Sequence, residues 1–154
     1  MSHKRGRSLT EALAQAERVC LSNGAQLTEL RRTVLKLILA APGPLTAYQL
    51  LDQLKEIRKS AVPPTVYRTL EFLMENRLVH KIEQLNAFIS CNDAHHDHQD
   101  VQFLICEKCG TVAEIEDHAI VHALAKAAER QGFHPGKAVV ELDGICAACS
   151  TVPH

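Results

Sequence analysis

Four cysteines stand in two pairs of equal spacing, Cys106-x2-Cys109 in "FLICEKCGTVAEI" and Cys146-x2-Cys149 in "GICAACS". Two residues between thiols fit a tight knuckle that aims both sulfurs at one ion, and two knuckles complete a tetrahedral four-thiolate site. Such a closed, soft donor set suits a structural Zn²⁺ with no redox role. The 36 residues between the pairs exceed the span of a simple zinc ribbon, because they hold a strand, a helix and another strand. A thioredoxin-type dithiol needs one pair at the start of a helix, and neither pair is expected to precede one. Cys20, on the apolar stripe of a helix, reads as an ordinary core thiol.

A second group of donors is more scattered. It comprises His80 and Cys91, the cluster His95, His96 and His98 in "NDAHHDHQD", and Glu114. These residues flank a polar stretch that reads as a linker, so a metal joining them would tie two domains together. A mixed N/S/O site at a hinge should exchange its metal more readily than four thiolates, as a sensor requires. Of the loop histidines, His98 is the expected ligand and His96 the alternative. His118 and His122 share one helix face, but "HAIVH" lacks the Glu of a HExxH hydrolase and reads as solvated surface.

The elements that position these groups change character along the chain. The first half is helical. "SLTEALAQAERVCLSNG" starts at Ser8 or Thr10, carries Leu9, Leu13, Ala16 and Cys20 on one stripe, and stops at Asn23-Gly24. Thr28 caps a second helix with Leu30, Val34, Leu37, Ile38 and Ala41 on its apolar side, halted by Pro42-Gly43-Pro44. Thr46 opens a third that buries Leu50, Leu51 and Leu54. "VPPTVYRTLEFLMENRL" places prolines where a first turn tolerates them and points Val66, Leu70, Leu73 and Met74 inward. After Leu78 the period becomes two, and "LVHKIEQLNAFISC" predicts a hairpin turning near Gln84–Asn86.

Helices followed by a hairpin predict a winged helix-turn-helix, with the helix over 62–76 in the major groove and the hairpin as wing. Beyond the linker, "VQFLIC" and "GTVAEI" predict paired strands, "DHAIVHALAKAAERQG" a helix from Asp117 to Gly132, and "KAVVELDGIC" a third strand. The fold class is therefore α+β. A winged-helix domain over 1–90, a hinge and metal loop over 91–100, and a small α/β dimerisation domain with the four-cysteine zinc site over 101–154 are expected. The last domain is too small for a large core, and a metal or a partner subunit is the usual remedy.

Charge divides along the same line. Residues 1–90 carry 13 Lys+Arg against 8 Asp+Glu, and residues 91–154 carry 4 against 10, giving +5 and −6. A basic half suits a polyanion and an acidic half suits cations. No run approaches the ~18 apolar residues of a membrane span. The basic amino end, "MSHKRGRSLTEAL", lacks the apolar core of a secretory signal, so a cytoplasmic protein with reduced thiols is expected.

Along nearly its whole length the chain resembles the ferric-uptake-regulator family, and within it the zinc-uptake branch. The most specific matches are "PPTVYRTLEFL", "LVHKIE", "FLICEKCG" and "GICAAC". The resemblance implies a homodimer that binds double-stranded, palindromic operator DNA and represses metal-uptake genes when metal is plentiful. It implies two zinc ions per chain, a structural one on Cys106, Cys109, Cys146 and Cys149 and a regulatory one with His80, Cys91 and Glu114 among its ligands. The branch's fourth ligand falls at Gln99, one residue from His98. Where relatives carry ligands of an additional site, this chain has Val121 and Ala138, so that site is not expected.

For DNA the resemblance implies base contacts from Arg68 and Tyr48, Tyr67 near the backbone, and Thr65 as a further DNA-binding residue. Arg68 can donate two hydrogen bonds to a guanine edge, and the arm "HKRGR" can add phosphate contacts. Asp52 and Lys55 resemble positions that pair neighbouring dimers on one operator. A thiolate in the sensing site favours Zn²⁺ over Fe²⁺ or Mn²⁺. The alternatives are an iron- or peroxide-responsive regulator of the same family and, from another class, a zinc-dependent hydrolase. Four protein ligands would leave that hydrolase no position for its water, and no catalytic residue is expected.

Overall fold

In the computed structural model, which describes residues 8–91 and 101–151, the first described element is a capped helix, α1 (Leu9–Ser22). Of the two candidate caps it is Ser8. Its hydroxyl accepts from the Glu11 N–H at 3.2 Å while the Glu11 carboxylate accepts from the Ser8 N–H at 3.3 Å. This reciprocal box satisfies two donors that a helix start otherwise leaves unmet. Helix α2 (Glu29–Ala40) is capped by Thr28, and α3 (Ala47–Ile57) by a second box between Thr46 and Gln49. Helix α4 (Pro63–Glu75) has no side-chain cap; Pro63 simply brings no N–H that would need one.

Ala16, Cys20, Val34, Ile38, Leu50, Leu51, Leu54, Val66, Leu70 and Leu73 face inward as expected, and all are buried. Leu35 is buried as well, off the expected stripe, because α2 packs against α1, α3 and α4 at once. Leu37 and Met74 sit at the margin of this core, half-buried. The hairpin follows as β2 (Val79–Ile82) and β3 (Ala87–Ser90), antiparallel, with a 3₁₀ turn over Glu83–Leu85 closed by Asn86 at φ +47°. A two-residue strand, β1 (Leu45–Thr46), adds to the free edge of β3 and gives the order β1-β3-β2. It is too short to leave a period in the sequence.

The chain divides into two compact units, Met1–His95 and His96–His154. In the second, β4 (Val101–Cys106) is central, antiparallel to β5 (Val112–Glu116) and parallel to β6 (Val140–Gly144). The crossover carries α5 (His118–Arg130), whose cap, Asp117, accepts from the Ala119 N–H at 2.9 Å. The Asp117 N–H in turn donates to Oε1 of the buried Gln102 at 2.9 Å, tying the helix start to β4. A short helix, α6 (Ala147–Ser150), corrects one expectation: the second cysteine pair does stand at a helix start, with Cys146 as its N-cap. One turn of four residues is too brief to show helical periodicity.

The basic arm at 3–7 and the loop over 92–100, with His95, His96 and His98, lie outside the described residues. Among the described residues no helix is long and apolar enough to cross a membrane.

Candidate metal centre and nucleic-acid face

The four-thiolate centre is built at one end of the β4–β6 pair. Cys106 is the last residue of β4, with Gly144 as its parallel partner, and the Glu107 N–H donates to the Gly144 carbonyl at 2.9 Å. The chain then folds back, the Gly110 N–H reaching the Cys106 carbonyl at 2.9 Å. Gly110 sits at φ +74°, a conformation that side-chain-bearing residues rarely adopt, and it lets Cys109 return toward Cys106. The parallel pairing of β4 with β6 delivers the second knuckle to the same place. The Cys146 N–H donates to the Cys106 sulfur at 3.4 Å, and the Cys109 and Cys146 sulfurs are 3.7 Å apart.

All four sulfurs lie within 4.8 Å of one another. A tetrahedral Zn²⁺ with sulfur at 2.3 Å requires edges of about 3.8 Å, so the donor set fits the ion in type, number and spacing.

The electrostatics divide the four thiols. Backbone N–H groups of Cys109 and Cys146 point at the Cys106 sulfur and pull its pKa down to about 6. The Thr111 hydroxyl and then its backbone N–H lower that of Cys109. Cys149 is pushed up to about 12, first by its hydrogen bonds with the Cys146 and Cys109 sulfurs, which favour the protonated form, and then by burial. Four thiolates at this distance repel strongly, and a divalent cation is what lets them ionise together. Cys20, by contrast, is fully buried in the helical core, where desolvation raises its pKa. It is a packing residue.

Of the second donor group, two of the described residues lie in the first unit. His80 on β2 is opposite Ile89, and the Cys91 N–H just beyond β3 donates to the Leu78 carbonyl at 3.0 Å. This register brings an imidazole nitrogen of His80 and Sγ of Cys91 within 4.8 Å. In the second unit Glu114 is half-buried on β5, opposite Phe103. His118 and His122 are exposed on α5.

The nucleic-acid candidates lie in the first two turns of two helices. Tyr48 at the start of α3 is 78% exposed, and Tyr67 on α4 is 50% exposed and not part of the core. Arg68 is exposed beside Tyr67; Thr65 is half-buried, its carbonyl accepting from the Thr69 hydroxyl at 2.7 Å. Tyr48 and Tyr67 flank a groove of about 100 Å³ whose floor is Ala47, Leu51, Pro63 and Val66. Two exposed tyrosines thus stand on helices whose leucines are buried.

Residues 22–143 match the Ferric uptake regulator family. The zinc uptake regulation protein of Escherichia coli (strain K12) is 41% identical over 147 residues, which cover 92% of this chain and 83% of that protein. A solved zinc uptake regulator complexed with zinc and DNA superposes with a TM-score of 0.89 at 37% identity, over 94% of this chain and 97% of the other. The holo form of XcZur gives a TM-score of 0.81 at 40% identity, over 94% of this chain and all of the other. The chain belongs to the ferric uptake regulator family.

Proposed function

We propose that this protein is a zinc-responsive transcriptional repressor rather than an enzyme. It binds a palindromic operator as a homodimer when its regulatory zinc site is filled, and so controls zinc-uptake genes in the cytoplasm. The observation that carries the reading is the likeness, at 37% identity and over 94% of the chain, to a zinc uptake regulator solved with zinc and DNA. The four gathered cysteine sulfurs and the exposed Tyr48, Tyr67 and Arg68 support it independently. The dimer is supported by apolar side chains that the second unit leaves in water, among them Leu104, Leu142, Ile145 and Phe133.

Each chain holds two zinc ions in this reading. Cys106, Cys109, Cys146 and Cys149 hold the structural ion. His80 and Cys91 from the first unit, Glu114 from the second and His98 from the loop (His96 as its substitute) hold the regulatory ion, which when bound supplies a cross-link between the units. Tyr48, Thr65, Tyr67 and Arg68 then meet successive major grooves in both protomers at once. If ~1% of dimers are competent without the cross-link, full preorganisation strengthens DNA binding about 100-fold.

The test is zinc content by elemental analysis, before and after dialysis against a mild chelator, with DNA affinity measured in parallel. One closed and one exchangeable site predict a fall from about two equivalents to about one, and loss of specific binding with it. Cys91→Ser should keep its fold and the chelator-resistant ion yet lose the zinc response. An unchanged response in that variant would remove the regulatory assignment.

A further inference from the structure

We propose that the exposed face of α5 carries a further, weak metal site, formed by His118 and His122 with Glu116, which takes a divalent transition ion such as Zn²⁺. It is separate from both sites described above and uses none of their ligands. His118 is the first residue of α5 and His122 stands one turn on. At this spacing the Cβ atoms of a helix are about 5–6 Å apart, and two imidazoles so placed can close on one ion. Both rings are exposed, the His118 side chain by 76%.

Position on the helix keeps them accessible. The half-buried residues of α5 are Ile120, Val121, Ala125, Ala127 and Ala128, which form the side turned toward the rest of the unit. The helical repeat places His118 and His122 opposite Ile120 and Ala127, together with exposed Lys126 and Glu129 and with Ala125 at the margin beside them.

The third donor comes from the end of β5. Glu116 Oε1 is 3.9 Å from His118 Nε2. An ion bound at 2.0–2.1 Å to both, at a tetrahedral angle, requires about 3.4 Å, which a small rotation of the exposed His118 ring supplies, the Glu116 side chain being only 25% exposed. Asp117 is already committed to the Ala119 N–H and contributes charge alone. The site has no thiolate and stands at the positive end of a helix dipole, which disfavours a cation. Both facts make it the weakest of the chain's metal sites, filled only at metal excess. A filled site would staple the first turn of a helix that has no fully buried residue.

The experiment uses the full-length protein with its tighter sites already loaded, dialysed against rising concentrations of zinc alone. Bound zinc is counted at each step, and hydrogen exchange is followed in the first turn of α5. The parent should take up one further weakly held equivalent while exchange in that turn slows. His118→Ala/His122→Ala should lack both effects and retain its chelator-resistant zinc. Glu116→Gln should weaken the uptake at least about tenfold, since even a residue that merely supports a ligand is worth that much. A parent with no further equivalent overturns the proposal. So does a double variant that takes it up at an unchanged midpoint, which would assign the uptake to other histidines.

Discussion

The two units solve the problem of small size in opposite ways. In the first, Cys20, Val34, Leu35, Leu50, Leu54, Val66, Leu70 and Leu73 are almost wholly removed from water, drawn from four helices that pack on one another. In the second, the buried described residues all belong to one strand: Val101, Gln102, Phe103, Ile105 and Cys106 of β4. Helix α5 contributes none. The first unit is thus held by apolar burial within one chain. The second cannot be, and its sequence instead invests in four thiols and in apolar side chains left outside. Domain size alone does not predict this; in the proposed reading, the second unit is stabilised by the zinc and the partner subunit it binds.

The sharpest way to break the comparison is to remove a zinc ligand. Cys109→Ser should forfeit most of the ~10 kcal/mol or more that such sites contribute to small folds. The second unit should lose its ordered amide spectrum and its chelator-resistant zinc. The first unit should keep its helical signal and its own unfolding transition. Collapse of both units together would mean that the helical core depends on the metal, and the contrast would fail.

A core deletion is the reciprocal test. Leu54→Ala, at a position with no exposed surface, should cost about 3 kcal/mol. Denaturant unfolding followed by helix signal should show the loss in the first transition, with the structural zinc retained throughout. Zinc loss in step with that transition would again show the two units to be one cooperative system.

How far the sequence could be read follows the same division. Caps announce themselves locally: Thr28, Thr46 and Asp117 each need only the next three residues to act, and each was legible. The stripe that buries Leu50 and Leu54 was legible for the same reason, while Leu35 was not, since its burial depends on three helices meeting at α2. The cysteine spacing disclosed a four-sulfur centre, but the parallel register of Cys106 with Gly144, which brings the knuckles together, is set by a crossover of more than thirty residues. Strand β1 and helix α6 span about one period each, too little to repeat a pattern. Phe133 and Leu142 show the other limit, because an apolar residue in a sequence does not reveal whether its own chain or another covers it.

Helix caps provide the finest comparison, because the same chemistry occurs in both units. Thr46→Ala and Asp117→Ala each remove an acceptor from a first-turn N–H, a change worth about 1 kcal/mol. The consequences should differ. Helix α3 is locked by Leu50, Leu51 and Leu54, so the loss at Thr46 should appear as a lower midpoint for the whole first unit. Helix α5 has no such anchor, so the loss at Asp117 should stay local, as faster hydrogen exchange at Ala119 with zinc retention unchanged. If Asp117→Ala instead loosens the zinc, the hydrogen bond from its N–H to Gln102 on β4 is the connection to examine. Gln102→Leu should then reproduce the effect, and α5 would count as part of the metal-held framework rather than a helix resting on it.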